Sequence, residues 1–173
     1  SNENTWIVST LNRLQNEFNL YAVNAEDGTA KAIYHESDDK YLEINDELYF
    51  LADGSFVLLS DRDGWNHLYH VAANGKIKRQ ITNGDYNVTR LYGMDAKNTL
   101  YYQSTERSPT ERNIYSIRIN GRSKSLLTDA TGSHNANFTN DFSLFINSYS
   151  AEGVPTVVTL RNRDGGIVRT LKT

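Results

Sequence analysis

The chain has 173 residues, and 18 Lys and Arg against 21 Asp and Glu give it a formal net charge of −3. A hydrophobic fraction of 38% is enough for a packed core and excludes a disordered segment. No Lys/Arg run exceeds two residues, which argues against a nucleic-acid or anionic-membrane surface, because phosphate recognition needs a concentrated basic field.

The absence of Cys removes disulfides, thiolate zinc sites and cysteine nucleophiles together. No apolar stretch reaches the ~18 residues of a transmembrane helix, and no stretch reads as a signal peptide, so composition leaves localisation open.

In chain order, apolar residues alternate over short runs that end at Asn, Asp or Gly, which is the pattern of strands and hairpins. The first strand is expected over 6–10. Over 11–20, Leu11, Leu14 and Phe18 fit either a helical turn or a loop leaving a strand. Strands follow near 48–51, 55–60, 67–72 and 77–81, then near 90–93, 99–104, 113–119 and 124–127. The fold class is all-β.

The turns recur at an interval. Leu20-Tyr21, Leu68-Tyr69 and Ile114-Tyr115 lie 48 and 46 residues apart, and each precedes a turn at Asp27-Gly28, Asn74-Gly75 or Asn120-Gly121. Ile81-Thr82 and Leu127-Thr128 repeat at 46, and a diverged fourth copy has Thr159-Leu160, Asp164-Gly165 and Thr170-Leu171. A unit of about 46 residues with four strands is a β-propeller blade, a four-stranded antiparallel meander. The chain then holds about four blades, in units near 5–45, 46–90, 91–138 and 139–173, the first beginning at its second strand. Few closed propellers are so small, so a fragment of a larger ring is expected. Its open blade ends would leave apolar faces and an unpaired strand edge, which favours self-association.

Longer strings carry more than repeat class. Ser9-Thr10-Leu11-Asn12-Arg13-Leu14-Gln15-Asn16-Glu17, Ser60-Asp61-Arg62-Asp63-Gly64-Trp65-Asn66-His67-Leu68-Tyr69, Thr105-Glu106-Arg107-Ser108-Pro109 and the segment 128–138 with Gly132-Ser133-His134 resemble the N-terminal propeller of bacterial dipeptidyl peptidase IV enzymes, of the prolyl oligopeptidase family. The resemblance implies part of an eight-bladed propeller stacked on a C-terminal α/β-hydrolase domain that this chain does not contain. The parent would be a serine peptidase, periplasmic or secreted, acting on peptides with Pro or Ala in second place. The propeller segment would gate access and pack on the hydrolase. The other reading open at this point is a stand-alone propeller that binds a protein or peptide.

Neither catalysis nor cofactor binding is expected of these residues. A nucleophile elbow reads Gly-x-Ser-x-Gly, and Gly121-Arg122-Ser123-Lys124-Ser125 lacks the second Gly. The family's Glu-Glu pair for the substrate amine is missing. Asp61-Arg62-Asp63-Gly64 has the spacing of a calcium loop without its downstream Glu, and reads as an Asp-Gly turn. His67 and His134 read as hydrogen-bonded blade histidines, His35 and His70 as surface residues. That leaves Arg62, Trp65, His67, Arg107 and Arg112 as tunnel or blade-junction residues. The arginines are expected to pair with Asp61, Asp63, Glu106 or Glu111, and Trp65 to fill a gap between blades.

Overall fold

The computed structural model describes residues 4–42, 47–128 and 131–173, and every regular element among them is a strand. β1 (Thr5–Leu11), β2 (Glu17–Asn24) and β3 (Ala30–Ser37) form a three-stranded sheet, and β4 (Tyr49–Phe50), β5 (Phe56–Ser60), β6 (His67–Val71) and β7 (Ile77–Gln80) a four-stranded one. β8 (Val88–Met94), β9 (Thr99–Ser104), β10 (Asn113–Arg118) and β11 (Ser125–Leu126) make the third sheet, and β12 (Ser133–Phe138), β13 (Leu144–Ala151), β14 (Val154–Asn162) and β15 (Ile167–Lys172) the fourth. In all four, neighbours in sequence are neighbours in the sheet, the meander a blade requires.

The ambiguous stretch 11–20 is strand, turn and strand. β1 and β2 pair from Thr5↔Asn24 to Leu11↔Phe18, and the Asn12 side chain accepts from the backbone N–H of Asn16 and Glu17 across the turn. A side chain that satisfies turn amides removes the gain a helix would offer them. The strand Ser133–Phe138 opens the fourth sheet, so that sheet begins several residues before the unit expected from 139. Its sequence is mostly polar, and alternate burial of His134 and Ala136 is what marks it as a strand.

The chain divides into two units, Ser1–Gly64 with Leu68–Gln80, and Trp65–His67 with Ile81–Thr173. In the first, Leu20, Tyr34, Phe56, Leu58, Tyr69 and Val71 form a buried cluster flanked by Phe18, Ile33 and Leu48. Tyr34 meets Phe18 and Phe56 edge-on, with centroids 6.4 and 5.9 Å apart, a geometry aromatic quadrupoles favour. In the second, Tyr101, Ile114, Leu127, Ala136, Phe142 and Phe145 make the matching cluster, with Tyr101 stacked on Phe142 at 4.9 Å.

Turn chemistry repeats with the strands. Between the first two strands of three sheets a carboxylate accepts from a backbone N–H two residues on: Asp53 from Ser55, Asp95 from Lys97 and Asp141 from Ser143. In the outer hairpins Asn24, Asn74, Asn120 and Asn162 do the same for Glu26, Lys76, Arg122 and Asp164. These Asx turns are the reason Asp and Asn punctuate the sequence.

The glycine that follows has a second task. Gly75 (φ +82°) and Gly165 (φ +89°) lie so close to the preceding sheet's last strand that a Cβ would strike the Ile33 and Leu127 carbonyls. Only glycine combines that left-handed backbone with that approach.

Candidate functional site at the blade junctions

In the first unit the junction is built around Arg62. Its Nη2 lies 2.9 Å from Glu36 Oε1, its Nε donates to Ser60 Oγ at 3.0 Å, and its guanidinium carbon is 5.0 Å from the Tyr69 ring centre. The Tyr34 hydroxyl donates to Glu36 Oε2 at 2.7 Å and accepts from Arg62, while Ser60 donates to Glu36 Oε1. Glu36, on β3, is thus gripped by Tyr34 and by two residues of the neighbouring sheet. Burial, reinforced by the Glu36 charge, pushes the Tyr34 hydroxyl far above the usual phenol range. It therefore stays protonated and able to donate.

The expected partners of Arg62 were Asp61 and Asp63; its partner in the structure is Glu36. A carboxylate one residue away in a tight turn cannot reach round to the guanidinium, whereas Glu36 faces it across the junction. Asp63 instead accepts from the Gln80 side chain.

Arg107 pairs with Glu111 at 3.5 Å within its own loop, one of the expected partners. Glu106 pairs with Lys124, which also lies 5.9 Å from the Tyr86 ring centre. Arg112 takes a different course, its Nη1 donating to the Pro109 and Glu111 carbonyls, each at 3.0 Å.

Its backbone does more. Arg112 N–H donates to Gly132 O at 3.1 Å and its carbonyl accepts from His134 N–H at 2.7 Å, a parallel bridge to the start of β12. Forty-six residues earlier, Asn66 makes the matching carbonyl contact to β8, accepting from Val88 N–H at 2.7 Å, while its side-chain amide donates to Val88 O at 2.8 Å and its backbone N–H to Asn87 Oδ1 at 2.8 Å.

His67 is fully buried, with Nε2 2.9 Å from Gly84 O and Nδ1 3.1 Å from Thr82 Oγ1. A carbonyl only accepts, so Nε2 carries a proton and donates it to Gly84 O, while Nδ1 is engaged by the Thr82 hydroxyl. With both nitrogens engaged and Tyr86 edge-on at 5.0 Å, the ring is not placed as a base.

The same pair position is Asn19 with His35 in the first sheet and Asn113 with Thr128 in the third, at 2.8 and 3.2 Å. It ties the start of the third strand to the close of the fourth. His134 sits with Nδ1 3.2 Å from Asn147 Oδ1 and stacks on Tyr149.

Two expectations change. Trp65 is 40% exposed and fills no buried gap, because the hairpin that carries it, turning at Gly64 (φ +94°), sets it on the surface. His70 is half-buried, its Nε2 3.0 Å from Ser55 Oγ, and burial lowers its pKa.

Ser55 in turn donates to Asp53 at 2.5 Å. Asp, Ser and His are therefore linked, but in the order Asp–Ser–His. In that order the carboxylate orients no imidazole and the serine O–H is directed at the carboxylate rather than at a histidine base, so no activated nucleophile results. Sequence reasoning missed Glu36, Gln103 and Tyr92; Gln103 and Tyr92 stand at strand positions flanked by buried residues, whereas Glu36 lies between exposed His35 and Ser37 and carries no such signal. Among the described residues no group of three His, Asp or Glu could hold a metal ion.

Residues 1–156 match the family model for the dipeptidyl peptidase IV N-terminal region. The chain is 31% identical over 163 residues to an Emericella nidulans protein named "Probable dipeptidyl peptidase 4", covering 86% of this chain and 21% of the relative. It is 37% identical to the crystal structure of Porphyromonas gingivalis dipeptidyl peptidase 4, with a TM-score of 0.91 over 98% of this chain and 24% of that one. A dipeptidyl aminopeptidase IV structure from Bacteroides ovatus, at 22% identity and TM-score 0.83, shares the fold. This chain thus spans about a fifth of the curated relatives. With four successive meanders and these likenesses together, the chain belongs to the dipeptidyl peptidase IV N-terminal region family and is part of its β-propeller.

Proposed function

We propose that this chain is the non-catalytic propeller segment of a dipeptidyl peptidase IV-like serine exopeptidase, which packs on an α/β-hydrolase domain and gates the access of peptides to it. The observation that carries this reading is the likeness to a dipeptidyl peptidase 4 structure over 98% of this chain, at 37% identity.

The geometry is consistent with a wall rather than a reaction centre. His35 and His67 are bound into hairpins, Arg62 into a junction, and the Asp53–Ser55–His70 string has the wrong connectivity. The same reading puts the protein in the periplasm or outside the cell, with peptides carrying Pro or Ala in second place as substrates.

The test uses the protein that carries this chain. It is expected to release Ala-Pro from a chromogenic amide and to lose that activity to a serine-directed inhibitor. Loosening a junction by Arg62→Ala is expected to change kcat/KM for a long peptide more than for the small amide. Reading the gene beyond Thr173 gives an independent check, since Gly-x-Ser-x-Gly followed by Asp and His is required. A protein without that motif or without exopeptidase activity refutes the proposal.

A further inference from the structure

We propose that Gln103, Tyr92 and the Arg112 backbone are edge guards, which keep an extended peptide from adding itself as a further strand to β12. β12 is an edge strand of the fourth sheet, and β8 an edge strand of the third. A sheet edge presents backbone N–H and C=O groups in the spacing a second chain needs, so an extended peptide that meets a bare edge is drawn into the ladder.

The edge of β12 can be reached. A cleft of about 300 Å³ opens beside its first half, lined by Gln103, Arg112, Ser133, His134 and Asn135 among others. What a peptide would find there is already occupied. In an antiparallel ladder alternate residues turn both backbone groups away from the partner strand, and in β12 these residues are His134 and Ala136.

His134 N–H donates to Arg112 O at 2.7 Å, and Gly132 O accepts from Arg112 N–H at 3.1 Å. A single residue of the chain's own loop thus stands where a parallel strand would begin. Gln103 Nε2 donates to His134 O at 2.6 Å, and the Tyr92 hydroxyl accepts from Ala136 N–H at 3.1 Å. A side-chain amide or phenol satisfies the backbone group without offering the next one along, so pairing stops there.

The guards are themselves held. Thr89 donates to Gln103 Oε1 at 2.7 Å, and Tyr92 donates to Asn135 Oδ1 at 3.2 Å with its ring centre 5.3 Å from that of Phe138. β8 is protected in the same way. Val88 N–H and Val88 O are both taken by Asn66, and the register of β8 shifts twice beyond that point. A propeller that passes extended peptides to a peptidase must also release them, and capped edges make its wall non-adhesive. That consequence rests on the reading of the parent as a peptidase; the capping does not.

The experiment uses the protein carrying this chain and a fluorescein-labelled octapeptide of alternating Thr and Val, acetylated so that it offers no free N-terminus to an exopeptidase. Fluorescence anisotropy is expected to show no saturation of the wild type up to about 1 mM, and saturable binding below about 100 μM with the Gln103→Ala/Tyr92→Phe double variant. A matched peptide with Pro at alternate positions lacks the N–H groups a ladder needs and is expected to bind neither. Tyr92→Phe alone removes only the hydroxyl, and is expected to speed exchange of the Ala136 amide proton by about tenfold. If the double variant does not fold, the peptide is titrated against Tyr92→Phe. Saturation of the wild type, no binding by the folded variant, or an unchanged Ala136 exchange rate overturns the proposal. None of these readings depends on peptidase activity, so a parent without that activity would refute the function proposed above and leave this test intact.

Discussion

The hairpin glycines offer a graded experiment. Gly28, Gly75, Gly121 and Gly165 occupy the same turn in successive repeats with φ between +70° and +89°. An L-residue there costs roughly 1–2 kcal/mol on backbone grounds alone. What differs is the space. A Cβ at Gly28 meets nothing within 4 Å, at Gly121 it meets Ile81 O at 3.3 Å, at Gly75 it meets Ile33 O at 2.5 Å, and at Gly165 it runs into the Leu127 backbone. Backbone atoms in a paired strand cannot step aside as a side-chain tip can, so Gly75→Ala and Gly165→Ala should cost a further ~1–3 kcal/mol of overpacking. In a chain of this size that is about 2–12 °C of extra loss in Tm beyond Gly28→Ala, with Gly121→Ala between. Thermal melts of the four variants, followed by circular dichroism, read the series directly. Equal losses at Gly28 and Gly75 would refute the close-approach argument and leave only turn strain.

Arg62→Ala and Glu36→Gln should couple in a double-mutant cycle by about 1–2 kcal/mol in urea, a value reduced from that of a fully buried pair because the Arg62 side chain is 31% exposed; additive losses would mean the pair is incidental. Asp53 and Asp141 are held at about 2, by the Ser55 hydroxyl and amide in one case and by the Thr139 hydroxyl and the Ser143 amide and hydroxyl in the other. Their folded-state pKa lies below the unfolded value, so their stabilisation is complete above about 4 and lost as pH falls towards 2. Asp53→Asn should therefore flatten the acid limb of a stability–pH profile, and an unchanged limb would count against the turn bonds. His70, lowered by burial and then by Lys78, should make the fold weaken as pH drops through the ordinary histidine range, and a Cε1 proton titrating at or above 6.5 by NMR would contradict it. The chain alone should not hydrolyse a Gly-Pro or Ala-Pro chromogenic amide, and turnover abolished by Ser123→Ala or Ser133→Ala would overturn that.

The strands and their order were legible because a blade writes its geometry locally. Alternation marks each strand, Asx turns mark each end, and the repeat brings both back after about 46 residues. Junction partners were not legible in the same way. Arg62 stands beside Asp61 and Asp63 in sequence, yet Glu36 reaches it because β3 runs along the neighbouring sheet. Trp65 looked like core by size alone, and the hairpin geometry placed it outside. The fourth sheet begins with Ser133-His134-Asn135-Ala136, whose apolar content is too low to announce a strand; what holds it is a ladder with β13 and the bridge to Arg112.

The repeat also explains where function can reside. Positions that recur from sheet to sheet, such as the Asx caps and the tie across the last hairpin of the first three sheets, are filled alike: Asn19 with His35, His67 with Thr82, Asn113 with Thr128. They secure each hairpin and leave little room for variation. The junctions differ in kind. In the first unit a carboxylate is shared among Arg62, Ser60 and Tyr34, and the charges close on each other. In the second, Gln103, Tyr92 and the Arg112 backbone join the third and fourth sheets together with the Arg163–Asp95 ion pair. Each junction thus sets a carboxylate of one sheet against an arginine of the next, Glu36 against Arg62 and Asp95 against Arg163, and what differs is the set of hydrogen bonds built around that pair.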